Sequence, residues 1–350
     1  MPSPQTLRAT ALGAGLPIVL AVVLPACPLD AQAPDRFLTA HFENDTFYDT
    51  DQSYTNGVRI SGAHRAEGDL RVLPTGVLER RFRRDCEIDP NRCWEWWSGW
   101  VVGQSMYTPQ ELEDSEIIPD DRPYGGWLYG GPTFTASRPA RHTMRATEHA
   151  FQLLLGVTGR PSLAGPTQRF VHDHIATGAA DPLGWHHQIR AEPTVNLLYS
   201  GRQRQLEAFR EGGGRYFDLV SEWSLAAGNV FTYGGGGAAL RLGWNLGEDF
   251  GAGRIEPVIA MAGREHRTEG HLFARIGARY TLWNAFLQGG WFRASPHTVD
   301  PERVVADLEV GATFRWRRVV ASGRWVRRSP EFDARLIYQE YGSLTVSWLR

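Results

Sequence analysis

His271–Leu282 reads HLFARIGARYTL, and its residues alternate. Leu272, Ala274, Ile276, Ala278, Tyr280 and Leu282 share one face of an extended chain. Arg275, Gly277, Arg279 and Thr281 share the other. A period of two is the signature of a strand. Ala306–Trp316 repeats the pattern, with Ala306, Leu308, Val310, Ala312, Phe314 and Trp316 against Asp307, Glu309, Gly311, Thr313 and Arg315. Ala238–Leu246 and Ile189–Tyr199 do the same, and Leu344, Val346 and Trp348 close the chain against Ser343, Thr345 and Ser347. A soluble sandwich also alternates, but its apolar face is the inner one. Here the polar face combines arginine, acid and glycine, strand after strand. Such charges pair across a wet barrel interior while the apolar face meets lipid.

Extending the pattern outward gives twelve segments, near 36–44, 53–64, 94–105, 124–137, 145–158, 187–200, 214–229, 234–247, 271–285, 304–316, 317–329 and 337–349. Closure removes every sheet edge, and an even count brings both termini to one end. The fold expected is therefore all-β, a twelve-stranded antiparallel transmembrane β-barrel over residues 34–350. Gly234–Gly237 reads as a strand start, because no helix pattern follows it to make a phosphate cradle.

Residues 1–33 read as a signal peptide. Arg8 precedes a short apolar core (Leu16, Ile18, Val19, Leu20, Val22, Val23, Leu24), and Ala31-Gln32-Ala33 forms an A-x-A cleavage pattern. Pro34 is awkward just after that site, which leaves cleavage after Ala31 open as well. Cys27 leaves with this segment. The remaining pair, Cys86 and Cys93 in DCEIDPNRC, suits a small disulfide-closed loop in an exported protein. The composition agrees. All 37 basic residues of the 350 are arginine, and against 39 acids they leave a net charge of −2 and no basic field for nucleic acid. Apolar residues at 42% and charged residues at 22% exclude disorder. No apolar run beyond the first 25 residues is long enough for a spanning helix.

With periplasmic termini, the connections after odd-numbered strands face outside, and they gather the reactive polar types on one rim. The first holds Glu43-Asn44-Asp45-Thr46-Phe47 and runs to Tyr54-Thr55-Asn56-Gly57. The second holds Tyr107-Thr108-Pro109 and Asp121–Trp127. The third, Gly159 to Trp185, carries His172, Asp173 and His174. A short helix is expected over Gly165–Thr177, where Phe170 and His174 lie one turn apart, as do Val171 and Ile175. Gln188 and Glu192 face the inferred lumen and read as structural.

In order, ENDTFYDTDQSYTNG, QSMYTPQ, DRPYGGWLY, GVTGRPS and GWHHQIRAEP, then Gly228-Asn229 and the closing YGSLTVSW, resemble the outer-membrane lipid A 3′-O-deacylase family over the whole mature chain. The resemblance implies a monomeric, calcium-dependent ester hydrolase. Its substrate would be lipid A in lipopolysaccharide, from which it removes the 3′-linked acyloxyacyl group. Carried over, its site residues are Asn44, Asp45, Thr55 and His174, with His174 preferred to His172 on its spacing to Trp185. The helix is expected against the outer barrel wall.

The residue types suit the chemistry. Imidazole activates water near neutral pH. A calcium ion held by oxygen ligands stabilises an oxyanion, and Asn44, Asp45 and Asp181 offer such ligands. Thr55 offers a hydroxyl to orient water. No serine sits in a G-x-S-x-G elbow, so direct attack by water is expected rather than an acyl-enzyme. Arg122 is expected either to hold a headgroup phosphate or sugar acid, or to pair with Asp120 or Asp121.

Two features depart from a simple transfer. The family's acidic residue six positions past the histidine is Ala180 here; either Asp181 beside it substitutes, or the metal site is altered. Strand parity also sends Asn44 to the lipid side and Asp45 to the lumen, unless a bulge intervenes. The alternatives are an outer-membrane phospholipase and a non-catalytic pore or structural barrel.

Overall fold

A computed structural model describes residues 35–44, 53–66, 93–140, 144–174, 180–251, 268–334 and 337–350, without the side chains of 53–55. The expected signal peptide, Asp45 and Cys86 lie outside the described residues. Cys93 is disulfide-bonded.

Strand-forming alternation produces twelve strands. They are β1 (Arg36–Asn44), β2 (Ser53–Arg65), β3 (Glu95–Thr108), β4 (Gly125–Arg138), β5 (Thr147–Thr158), β6 (Pro193–Phe209), β7 (Arg215–Gly228), β8 (Phe231–Trp244), β9 (Glu269–Asn284), β10 (Val304–Trp316), β11 (Val319–Arg328) and β12 (Gln339–Leu349). Each pairs antiparallel with its sequence neighbours, and β1 pairs with β12 to close the barrel. Outward residues such as Leu272, Ile276, Leu308 and Leu344 are exposed, while inward Glu309, Arg315 and Ser347 are buried. The wall therefore carries its apolar side chains outside. No helix among the described residues is long and apolar enough to cross a membrane.

One strand departs clearly from expectation. The segment read as 187–200 is a strand over Pro193–Phe209. Its first residue, His187, instead ends a 3₁₀ turn, Leu183–His187, residues 188–192 belong to no strand, and proline starts the strand where a missing N–H costs nothing. Beyond Ser200 the strand continues through Gly201, Arg202, Gln203 and Arg204, whose polar types conceal an alternation that their directions preserve.

The interior is filled from both ends. At the end shared by the barrel termini, the segment after β8 turns inward. Arg241 bonds Asp218 and Asp249, Arg204 donates to the Asp249 carbonyl at 2.9 Å, and Arg202 donates to the Phe250 carbonyl at 3.0 Å and to Glu148 at 2.6 Å. Leu246, read as the end of a strand, is buried in this fold-back. Gly251 takes φ +91° there, a left-handed conformation glycine adopts without strain.

At the opposite, distal end, helix α2 (Ala285–Gln288) inserts Phe286, which stacks on Tyr107 at 4.0 Å between centroids. Glu192 accepts the backbone N–H groups of Trp291 and Phe292 at 3.0 Å each, holding that connection in place. Glu192 thus serves structure, as its position suggested.

Candidate functional site at the distal barrel wall

Register fixes the first part of the site. Asn44 lies opposite Asn56, Asn56 opposite Met106, and Met106 opposite Gly126, one row across β1 to β4. In β1 the inward residues Thr39, His41 and Glu43 are buried, so Asn44 points outward with Leu38 and Ala40. The row therefore lies on the external face of the wall. A register shift falls between Tyr54 and Asn56, making Thr55 the extra residue of a β-bulge. This bulge on β2 re-aims the local backbone; the rim bulge that would bring Asn44 and Asp45 to one side falls at Asp45, outside the described residues.

An exposed wall would leave this row uncovered, yet Met106 is 1% exposed and Asn56 6%. The third distal connection covers the β3 and β4 end of the row. A 3₁₀ turn at Arg160–Ser162 leads into helix α1 (Ala164–His174), which packs on β3 and β4. The expected helix over Gly165–Thr177 starts one residue earlier, and residues 175–179 lie outside the described set. Outward-facing Gln104 donates to the Ser162 carbonyl at 2.6 Å. A Cβ at Gly126 would collide with Ser162 and Ala164, so glycine there is what permits the close seat. Met106, Leu112, Tyr124, Ala164 and Trp185 form an apolar cluster between helix and wall.

The helix turns one stripe toward that cluster. Its buried residues are Ala164, Gly165, Gln168 and His172, at helical spacing. His172 is 9% exposed, and its Nδ1 lies 2.8 Å from the Ala180 carbonyl. A carbonyl only accepts, so Nδ1 carries the proton and the neutral ring has its lone pair on Nε2. His174, the sequence's choice, lies on the exposed side. Its Nδ1 donates to the Phe170 carbonyl at 3.0 Å, and its ring stacks on Phe170 at 4.5 Å. The structure thus places His172, not His174, on the wall-facing stripe. The burial of the stripe is what distinguishes them, and chain spacing does not carry that information.

The remaining candidates described are Asp181 and Arg122. Asp181 is exposed just before the 3₁₀ turn at Leu183–His187. Among the described residues no group of three or more His, Cys, Asp or Glu is arranged to hold a metal ion. Arg122 is fully buried inside the distal mouth, where it pairs with Glu331 at 3.2 Å and lies 4.8 Å from the Tyr107 ring. Its ion pair is with Glu331 rather than Asp120 or Asp121, and its guanidinium lies in the bore rather than at a headgroup-facing surface. Glu331 also accepts from Arg279 at 2.8 Å and Arg328 at 3.4 Å. Burial alone would raise the Glu331 carboxyl, but Arg328, Arg122 and Arg279 outweigh it and hold it down at about 2.

Sequence reasoning missed two polar groups at the wall. Gln168 is 3% exposed; its Oε1 accepts the Trp185 indole N–H at 2.7 Å, and its Nε2 has no acceptor among the described residues. Asn56 Oδ1 is likewise buried without a donor among the described residues. Helical spacing from His172 would have pointed to Gln168; only burial singles out Asn56.

Comparison with known proteins gives one family. The family described as outer membrane protein LpxR matches residues 16–349. Among solved structures, LpxR from Salmonella typhimurium superposes with a TM-score of 0.70 at 20% identity, over 90% of this chain and 100% of that one. An outer membrane channel from Pseudomonas putida F1 gives 0.43 at 10% identity, over 93% and 100%. The β-domain of the Bordetella autotransporter Brka gives 0.40 at 10%, over 91% and 99%. No curated protein sequence matches.

Proposed function

The chain belongs to the outer membrane protein LpxR family, and from this premise we infer that it is a lipid A deacylase that removes the 3′-linked acyloxyacyl group. It is an outer-membrane β-barrel. Family membership supports lipid A deacylation in general; the bond chosen and the roles of individual residues are our reading. The observation that carries it is the outer-wall row in which Asn44 and Asn56 lead to Met106 and Gly126 beneath a helix. A soluble substrate would be met in a bore or on a rim. A site between an external wall and a helix suits a substrate that arrives sideways from the outer leaflet.

In this reading His172 is the general base. Its support is burial on the wall-facing stripe and a tautomer fixed by the Ala180 carbonyl. Nε2 takes a proton from water as the water oxygen attacks the ester carbonyl. The C–O bond to the sugar then breaks, and the proton passes to the departing sugar oxygen. Thr55, at the bulge beside Asn56, would orient the water.

The donors here suit calcium. Asn44, Asp45 and Asn56 all offer oxygen, the atom hard cations prefer, and the orphaned Asn56 Oδ1 gains a partner if an ion binds nearby. Asn44 and Asp45 would hold the ion, with Asp181 as a further oxygen donor. When bound, it would supply positive charge to the carbonyl oxygen.

The test is mass spectrometry of lipid A from cells expressing the chain, beside His172→Asn and His174→Ala variants. Loss of the 3′ acyl group with wild type and with His174→Ala, but not with His172→Asn, is expected. Release of fatty acid from phospholipid vesicles with unchanged lipid A would replace this reading by a phospholipase.

A further inference from the structure

We propose that Gln168 is a catalytic residue of this site, its Nε2 amide donating a hydrogen bond to the substrate's ester carbonyl oxygen. The proposal rests on the ester-hydrolase reading above and extends it to a residue that reading leaves without a role.

The amide is oriented before substrate arrives. Trp185 donates its indole N–H to Oε1 at 2.7 Å, which fixes oxygen and nitrogen on opposite sides. Trp185 is itself held against α1, where Gly165 leaves only enough room for its ring; a Cβ there would sit 3.0 Å from it. The freed face of the amide is a pair of N–H donors with no acceptor among the described residues. Leaving a buried donor unsatisfied costs about 1–3 kcal/mol. That cost is offset if a ligand oxygen completes the bond.

Position identifies the oxygen. Gln168 lies four residues before His172, so their side chains are neighbours on one helix face. A group beside the base, within the same covered wall site, is where the carbonyl under attack must lie. The bond strengthens as the carbonyl oxygen gains negative charge in the tetrahedral intermediate. A preorganised, desolvated donor acts most strongly on such a species.

Gln168→Glu separates this role from a merely structural one. It keeps shape and the acceptor for Trp185, and replaces only the donor. In purified protein, kcat for 3′ acyl release is expected to fall by roughly 10²–10³-fold with KM little changed. Affinity for a phosphonate analogue of the ester should fall by a similar factor. Heat-modifiable gel migration, which reports barrel folding, should match wild type. Gln168→Ala should lose comparable activity, and Trp185→Phe, which releases the amide, should fall between. Wild-type kcat in Gln168→Glu would overturn the proposal, as would a loss confined to KM. If wild type itself releases no acyl group, the hydrolase reading fails instead.

Discussion

At the residue scale, two histidines two positions apart in one helix have opposite surroundings. His172 is buried toward the wall, and His174 is stacked on exposed Phe170. Removing a general base typically costs 10²–10⁴-fold in rate. We expect a loss of about that size for His172→Asn, and kcat within a few-fold of wild type for His174→Ala, measured on purified lipid A. Glu331 makes a separate prediction about stability. Its carboxyl is held at about 2, below its ordinary 4.5, so the unfolded chain binds the proton more tightly than the folded one. The stabilisation is complete above the ordinary value and is lost as pH falls from about 4.5 through about 2. It amounts to the order of 3 kcal/mol. Glu331→Gln should therefore destabilise the barrel near neutral pH and flatten the acid limb of its unfolding curve in detergent. An unchanged acid limb would show that the arginines around Glu331 do not act on it as charges.

At the scale of elements, the proposed site depends on how closely α1 lies on β3 and β4. Gly126 is the contact that sets the distance. Gly126→Val should lift the helix, lower lipid A deacylation by ten-fold or more, and leave barrel folding intact by gel migration. Full activity in that variant would mean the helix seat is irrelevant. The elements themselves were largely legible. Period-two alternation gave twelve strands, because a lipid-facing wall imposes the pattern residue by residue. It failed along Gly201–Arg204, where both faces are polar or small, and at Leu246, where an apolar residue turns inward with a loop. The site was legible only in part. Parity correctly sent Asn44 outward, whereas the bulge at Thr55 on β2 has no signal in the alternation. Which histidine faces the wall, and that Gln168 has a donor to spare, follow from packing between helix and barrel. That packing leaves no local pattern in the chain.

At the scale of the molecule, the bore and the wall have different tasks. The bore is filled by Phe286 and the Arg122–Glu331 group at the distal end, and by Asp249 and Phe250 among arginines at the other. We therefore expect reconstituted protein to show no steady conductance in planar bilayers; open-channel currents would favour a pore. The wall instead carries an outer row that runs from Asn44 and Asn56 to Met106 and Gly126, its β3 and β4 end beneath a helix; in the proposed reading a lipid substrate reaches it without leaving the membrane. Oxygen-only donors at its edge lead us to expect that a chelator abolishes activity and added calcium restores it. The most direct measurement is the mass spectrum of lipid A from cells expressing the chain. Wild type is expected to give a mass loss equal to the 3′ acyloxyacyl group and His172→Asn none; identical spectra for the two would overturn the proposed role of the wall site.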